Sequence, residues 1–186
     1  MKKIIIFVLI IILSNIGVSY AQVKKGTKEI GAAGTLSFIE NFNFYTFVTT
    51  FGYFVTPKIQ LGLTGIGVES SSEEDIDMKT YSLGLHMKYH FYKEGQIVVP
   101  YLGGQAGIKT YPKINVEIEM YNDEVTETKT STETGTSFFW GGIGGLKFFL
   151  TENISFNLEA NYQNVTDEDS DVTDVLQLLF GFSTYF

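Results

Sequence analysis

The chain has 186 residues, which suits a single domain, and its formal net charge of −8 disfavours nucleic-acid binding because a phosphate-reading surface needs a basic patch. It has no cysteine, so disulfides, thiol chemistry and thiolate metal sites are excluded. The aromatic content of 15%, the 19 glycines and only three prolines favour strands over helices.

The first 21 residues have the pattern of a secretory signal peptide. A basic start at Lys2 and Lys3 precedes an apolar run over 4–12, and Ser19 and Ala21 are small residues at −3 and −1 of a cleavage site. The apolar run is too short for a comfortable membrane span, which needs roughly 20 apolar residues. An uncleaved anchor is the alternative. Cleavage would leave one domain, 22–186, with a net charge of −10 and no candidate transmembrane helix.

Eight segments alternate between apolar and polar residues with the period of two that is typical of strands. They cover 28–38, 43–55, 59–69, 81–92, 97–111, 136–150, 154–163 and 176–186. In the seventh segment, Phe156 and Leu158 on one face oppose Asn157 and Glu159 on the other. The polar faces carry many glycines, as a narrow and crowded lumen requires.

Short and long connections alternate along the chain. The short ones are 56–58, 93–96 and 151–153, and the longest opposite ones are 112–135 and 164–173. Outer-membrane barrels have short periplasmic turns and longer external loops, with an apolar lipid-facing band flanked by aromatic girdles. We therefore predict an all-β, eight-stranded antiparallel transmembrane β-barrel, an up-and-down meander with its apolar faces towards lipid. A soluble sandwich or lipocalin-like barrel would use the same alternation with the apolar face inside.

The segments 25–31, 52–56, 144–153 and 181–186 resemble those of the small outer-membrane β-barrel proteins, the eight-stranded class that includes outer membrane proteins A and X. The resemblance covers the whole chain after residue 21 and implies a location in the bacterial outer membrane. In this family a last strand that ends in Phe is read by the barrel-assembly machinery. The resemblance implies that role for Gly181, Phe182 and Phe186, although Leu179 and Thr184 depart from the usual pattern.

Five titratable residues fall on predicted lumen faces. They are His86, Lys88, His90, Lys147 and Glu159. Pairing across the 151–153 turn would place Lys147 beside Asn157, with Glu159 on the diagonal and Lys88 across the barrel. Because an eight-stranded barrel is about filled by its own side chains, we expect a buried ion-paired plug; a gate for small ions is the alternative. The two histidines would lie roughly 13 Å apart on one strand, too far to share a metal ion directly.

Region 112–135 has strand propensity in both halves, with a turn between them. The first half alternates through Ile114, Val116 and Ile118, and the second through Thr126, Thr128 and Thr130. We expect the fifth and sixth strands to continue beyond the membrane as a projecting ribbon with edges that a partner strand can pair with. Acidic residues concentrate at the same end, where we expect a solvated surface and no specific calcium site.

These features favour a structural or surface-interaction (adhesion-like) protein without catalytic, cofactor or metal sites. Its expected partners are outer-membrane lipid, the barrel-assembly machinery and a surface partner at 112–135. One alternative is a narrow porin-like passage for small or hydrophobic solutes, and another is a soluble exported β-barrel that binds an apolar ligand. An enzyme is disfavoured because no histidine lies in a long connection and the serines 70–72 have no adjacent base.

Overall fold

The computed structural model describes residues 23–39, 42–72, 78–121, 124–166 and 172–186, so the predicted signal peptide lies outside the described residues. The described residues form eight strands. These are β1 (Lys28–Ile39), β2 (Phe42–Phe54), β3 (Ile59–Ser72), β4 (Met78–His90), β5 (Val98–Tyr121), β6 (Glu124–Thr151), β7 (Ile154–Thr166) and β8 (Val172–Tyr185).

The strands form one closed antiparallel barrel in chain order, in which β8 returns to pair with β1. This confirms the predicted eight-stranded meander. β5 and β6 continue from 97–111 and 136–150 into the region 112–135 and reach 24 and 28 residues, while the other strands have 12–14. Within the described part of the chain, no helix is long and apolar enough to cross a membrane.

Alternation places apolar side chains on the outside of the barrel. Leu176 is 70% exposed and Leu85 is 67% exposed, whereas Lys147 and Ser155 point inward and are buried. A water-soluble barrel would show the reverse arrangement, because exposed apolar surface on this scale is unfavourable in water. The outer surface therefore faces lipid, and aromatic residues such as Tyr53 and Tyr81 lie near the strand ends, where interfacial girdles belong.

The two ends of the barrel differ. The turn end carries the connections 55–58, 91–97 and 152–153 together with the chain end at Phe186. Gly95, in the second of these turns, has a φ of 81°, which a residue with a Cβ adopts only with strain. We call the opposite end, from which β5 and β6 extend, the ribbon end.

The glycines on the inner face make room for large interior side chains. A Cβ on Gly84 would lie 2.8 Å from the Phe139 ring, and a Cβ on Gly107 would also lie 2.8 Å from it. Phe139 is fully buried. The Phe139 ring thus fits in the lumen because Gly84 and Gly107 have no side chains beside it.

Candidate functional site

The barrel interior is the candidate site, and an apolar layer closes it at the turn end. This layer is formed by Val23, Phe54, Val99, Phe149 and Tyr185, all buried. The rings of Phe149 and Tyr185 lie 5.2 Å apart, and those of Phe54 and Tyr185 lie 6.5 Å apart. Solutes passing through the lumen would have to displace this packed layer.

An ion pair lies next to this layer, on its ribbon-end side. The Lys147 ammonium donates to Glu29 Oε1 at 2.5 Å and also to the Tyr185 hydroxyl at 3.1 Å. Glu29 accepts two further hydrogen bonds, from Ser183 Oγ at 2.7 Å and from Gln60 Nε2 at 2.7 Å. A buried ion pair is tolerated only when the remaining lone pairs are satisfied in this way. This pair links β6 to β1, and Glu29 is held by β3 and β8 as well.

A second buried ion pair lies beside the first. Lys88 Nζ donates to Glu159 Oε2 at 2.7 Å, and the Tyr101 hydroxyl donates to the same oxygen at 2.7 Å. The Tyr101 ring lies between the two cations, 5.0 Å from Lys88 Nζ and 5.4 Å from Lys147 Nζ, close enough for cation–π attraction to both. The plug is therefore two ion pairs arranged around one tyrosine.

The acidic partner of Lys147 differs from the sequence-based expectation. Lys147 does lie opposite Asn157 in the register, but its carboxylate partner is Glu29 and not Glu159. Sequence reasoning missed Glu29 because the first strand has a weak alternation pattern. The signal was nevertheless present, since Glu29 and Gly31 share the inner face opposite the exposed Ile30.

The histidines lie inside the barrel and have separate partners. His86 Nδ1 is 2.7 Å from Thr64 Oγ1, whereas His90 Nε2 is 3.3 Å from Gln60 Oε1. The His90 ring also stacks on Tyr101 with centroids 5.4 Å apart. Both histidines thus fill the lumen and hydrogen-bond within it. Among the described residues, no group of three or more His, Asp or Glu side chains is arranged to hold a metal ion.

The middle of the barrel is nearly solid. Between the ion pairs and a small apolar cluster of Val48, Ile66 and Leu179 lies a cavity of about 20 Å³, enough for a single water molecule. The two ends of the barrel are therefore separated by packed side chains.

The ribbon-end half of the barrel, in contrast, holds a large open cavity of about 760 Å³. Its wall includes inward-facing threonines, serine and glutamines, a patch of Ile66 and Val68, and one charged residue, Lys109. Leu176, Leu178 and Phe180, from the lipid-facing side of β8, also contribute to its wall. The cavity is thus continuous with the outer surface of the barrel.

The reason is an incomplete seam between β1 and β8. β1 pairs with β2 along all twelve of its residues, but with β8 only from Glu29 opposite Tyr185 to Gly34 opposite Phe180. Beyond that point, Thr35 and its successors in β1 do not pair with β8, although β8 stays paired with β7 up to Val172. The cavity opens sideways at this unpaired half of the seam.

The three residues assigned to assembly lie at the paired half of the same seam. The Phe182 and Phe186 side chains are 57% and 62% exposed on the lipid face, whereas Gly181 packs against β1, where a Cβ would lie 2.6 Å from Ala33 Cα. The last residue is held by two backbone hydrogen bonds, from Lys28 N to Phe186 O at 2.8 Å and from Phe186 N to Lys28 O at 3.1 Å. The Phe182 ring packs edge-on against Phe156 at 5.5 Å and the Phe186 ring lies 6.0 Å from Lys28 Nζ, but the exposed sides of both rings can contact lipid or another protein.

The ribbon residues named above lie in a continuous antiparallel ladder. Ile114, Val116 and Ile118 pair with Thr132, Thr130 and Thr128, and the register shifts between Glu119 and Met120 near the tip. Thr126 lies on β6 at the level of that shift. The neighbouring strands end their pairing earlier: β4 pairs with β5 up to Thr110, and β7 pairs with β6 up to Phe138.

Residues 14–186 match the family described as "Outer membrane protein beta-barrel domain". Among solved structures, Neisserial surface protein A is similar with a TM-score of 0.61 and 16% identity, over 88% of this chain and 98% of that one. The N-terminal β-barrel domain of Pseudomonas aeruginosa OprF has a TM-score of 0.51 and 21% identity, over 87% and 98%. Ail, the attachment invasion locus protein of Yersinia pestis, has a TM-score of 0.50 and 19% identity, over 87% and 99%. These likenesses concern the fold. No curated protein matches the sequence of the chain.

Proposed function

The chain belongs to the outer membrane protein β-barrel domain family, and from that membership we propose that it is a surface-interaction protein of the bacterial outer membrane. The barrel anchors it in lipid, and the β5–β6 ribbon binds a partner outside the cell. Residues 1–21 direct export, and the turn end faces the periplasm, so the barrel-assembly machinery meets Gly181, Phe182 and Phe186 from that side.

The length of β5 and β6 carries this proposal. Beyond Tyr111 and Gly135 the two strands remain paired for about ten residues each, to Tyr121 and Glu124, which at about 3.4 Å per residue adds roughly 35 Å to the barrel. Along this stretch the described strands offer no second neighbour, so both ribbon edges present backbone N–H and C=O groups. Such edges can pair with a strand of another protein.

The packed interior supports binding over transport. An apolar layer, two ion pairs and the cluster of Val48, Ile66 and Leu179 lie in series across the lumen. The porin-like alternative would need all three to move. Planar-bilayer recordings distinguish the two, since the purified protein is expected to show no ion conductance, whereas steady single-channel currents would favour the passage.

A binding role also suits the placement of the reactive side chains. His86 and His90 lie inside the barrel, hydrogen-bonded to Thr64 and Gln60, away from the ribbon end. Acid–base catalysis on an external substrate needs a titratable group within hydrogen-bond reach of that substrate. We therefore infer that the two histidines take no part in catalysis on an external substrate. The name of Ail, the attachment invasion locus protein, refers to attachment and invasion, which suits an adhesive role for a barrel of this fold.

The proposal is tested by shortening the ribbon. Residues 114–132 are replaced by Asn-Gly, a pair that forms tight hairpin turns, so that Lys113 and Glu133 remain opposite each other. The matched control replaces 167–171 by Asn-Gly between the paired Thr166 and Val172. It removes four acids at the same end of the barrel, against five in the ribbon variant.

Bacteria that display each form are compared for adhesion to layers of cultured epithelial cells and of extracellular matrix. Loss of adhesion in the ribbon variant alone is expected. Equal adhesion by the ribbon variant and the wild type, with both folded by heat-modifiable gel migration, would overturn the proposal. If both variants lost adhesion to the same extent, the loss would come from the removed acidic residues, and this result would also overturn the role of the ribbon.

A further inference from the structure

The 760 Å³ cavity at the ribbon end has two environments in its wall. On the seam side it meets Leu176, Leu178 and Phe180, which belong to the lipid-facing surface and are at least half exposed. On the opposite side it meets Lys109 and several uncharged polar groups of the inner face. An occupant that fills the cavity therefore touches the membrane at one end and a cation at the other.

The polar side of the cavity contains groups without partners. Lys109 has no ion-pair or hydrogen-bond partner within the described part of the chain, unlike Lys88 and Lys147. Gln163 and Gln177 also line the cavity, but their unpaired Nε2 and Oε1 atoms are enclosed and do not contact it.

We propose that this cavity binds a single-chain fatty acid, whose carboxylate pairs with Lys109 and whose acyl chain extends towards the unpaired half of the β1–β8 seam. The fatty acid reaches the site sideways from the membrane, between β1 and β8 above Gly34 and Phe180. The volume suits such a ligand, since small-molecule sites are typically about 300–1,000 Å³.

The charges and the wall of the cavity select this ligand class. A wholly apolar molecule would leave Lys109 without a counter-charge, whereas a wholly polar one would lie against Leu176 and Leu178. Lipids with several phosphate groups would place more negative charge in the cavity than one lysine can neutralise, which is unfavourable in a poorly solvated site. A fatty acid has one apolar chain and one negative charge.

The binding test uses the full-length mature protein in phosphatidylcholine nanodiscs and a 16-carbon fatty acid with a photoreactive diazirine in its chain. Labelled residues are mapped by mass spectrometry. Label is expected on Ile66, Val68 or Thr80, whose side chains face the cavity and not the surrounding lipid. The methyl ester of the same probe is expected to label these positions at least fivefold less, because it carries no charge.

Substitutions at Lys109 test the cation. Lys109→Gln is expected to lower interior labelling at least fivefold, and Lys109→Arg should keep it within about twofold of wild type. Lys79→Gln is the matched control, because Lys79 lies at the same end of the barrel but is exposed and pairs with Glu69 at 3.5 Å. All variants are checked for folding by heat-modifiable migration.

The seam is tested with disulfides, which the cysteine-free chain allows without side reactions. If β1 and β8 continued in the register of Gly34 and Phe180, Leu36 would lie opposite Leu178, so Leu36→Cys with Leu178→Cys would close the open half. The oxidised form is expected to lose interior labelling and the reduced form to regain it. The control pair, Ile30→Cys with Thr184→Cys, joins positions that are already paired, and should label equally in both states.

Each other result has a defined meaning. Equal interior labelling by acid and ester, or by Lys109→Gln and wild type, would overturn the carboxylate site. Label restricted to lipid-facing residues would show that the probe stays in the membrane, and would overturn the site. Displacement of the probe from the cavity by a phospholipid would assign the cavity to a two-chain lipid, and would overturn the choice of a fatty acid. Labelling unaffected by the closed seam would overturn the sideways route.

Discussion

Lys147 and Glu29 are 118 positions apart in the chain, yet the lysine Nζ donates to the glutamate Oε1 at 2.5 Å inside the barrel. Lys147 lies on β6 and Glu29 on β1, and these two strands are not neighbours, because β7 and β8 lie between them in the barrel. The contact crosses the lumen, and it ties together two parts of the wall that no ladder hydrogen bond connects.

Glu29→Gln is expected to destabilise the folded barrel by about 3–5 kcal/mol, because it leaves the Lys147 ammonium buried without its counter-charge. Urea unfolding in lipid, followed by intrinsic fluorescence, measures the change. Glu69→Gln removes one partner of the exposed pair with Lys79 and should cost no more than about 1 kcal/mol. Similar losses in both variants would contradict a special role for the lumen pair.

Glu159→Ala is expected to lower barrel stability by a similar amount, about 3–5 kcal/mol, since Lys88 and the Tyr101 hydroxyl both lose their acceptor. Adding Lys88→Met should recover part of this loss, because it removes the uncompensated charge. The temperature at which the folded band disappears on a gel ranks the variants by the stability of the barrel. Glu152→Ala, in an exposed turn, is the control and should shift stability by less than about 0.5 kcal/mol.

Gly181→Ala is expected to destabilise the β1–β8 pairing by about 1–3 kcal/mol, because the added methyl group would meet the backbone of Ala32 and Ala33. Gly142→Ala is the comparison, since a Cβ at Gly142 has nothing within 4 Å. The unfolding midpoints of wild type and of the two variants, measured in the same lipid, give the loss of stability that each substitution causes. A loss for Gly142→Ala as large as that for Gly181→Ala would contradict close packing of Gly181 against β1, because alanine at an unhindered position restricts the unfolded chain and should stabilise the fold.

Phe186→Ala is expected to lower the amount of protein assembled in the outer membrane without changing the unfolding midpoint of the fraction that assembles. The Phe186 side chain is 62% exposed and its backbone hydrogen bonds to Lys28 do not need the ring. Quantitative fractionation measures assembly. Phe180→Ala, on the same strand and face, is the control and should assemble normally. Equal assembly of both variants would argue against recognition of the last residue.

The sequence was sufficient to predict the strands and their faces because the signals for both are local. The alternation in 154–163 and 81–92 is visible within each segment, and it assigns Glu159, His86, Lys88 and His90 to the interior without reference to any other strand. The tight connection at 151–153 sets the register of β6 against β7 in the same way, with Lys147 opposite Asn157. The projecting ribbon was predictable for the same reason, since both its halves alternate around a short turn.

Which acid meets which lysine was not predictable, because it depends on how the sheet closes. The partner of Lys147 lies on β1, and only the pairing of β1 with β8 brings Glu29 into the lumen at the same height. The open seam is likewise a property of closure: nothing in the residues of β8 indicates that pairing with β1 stops at Phe180 while pairing with β7 continues to Val172. Local periodicity thus determined the strands and the identity of three of the four ion-paired residues in the lumen, Lys88, Lys147 and Glu159, but not Glu29. Barrel closure, a contact between the first and last strands, decided how those charges pair and where the cavity opens.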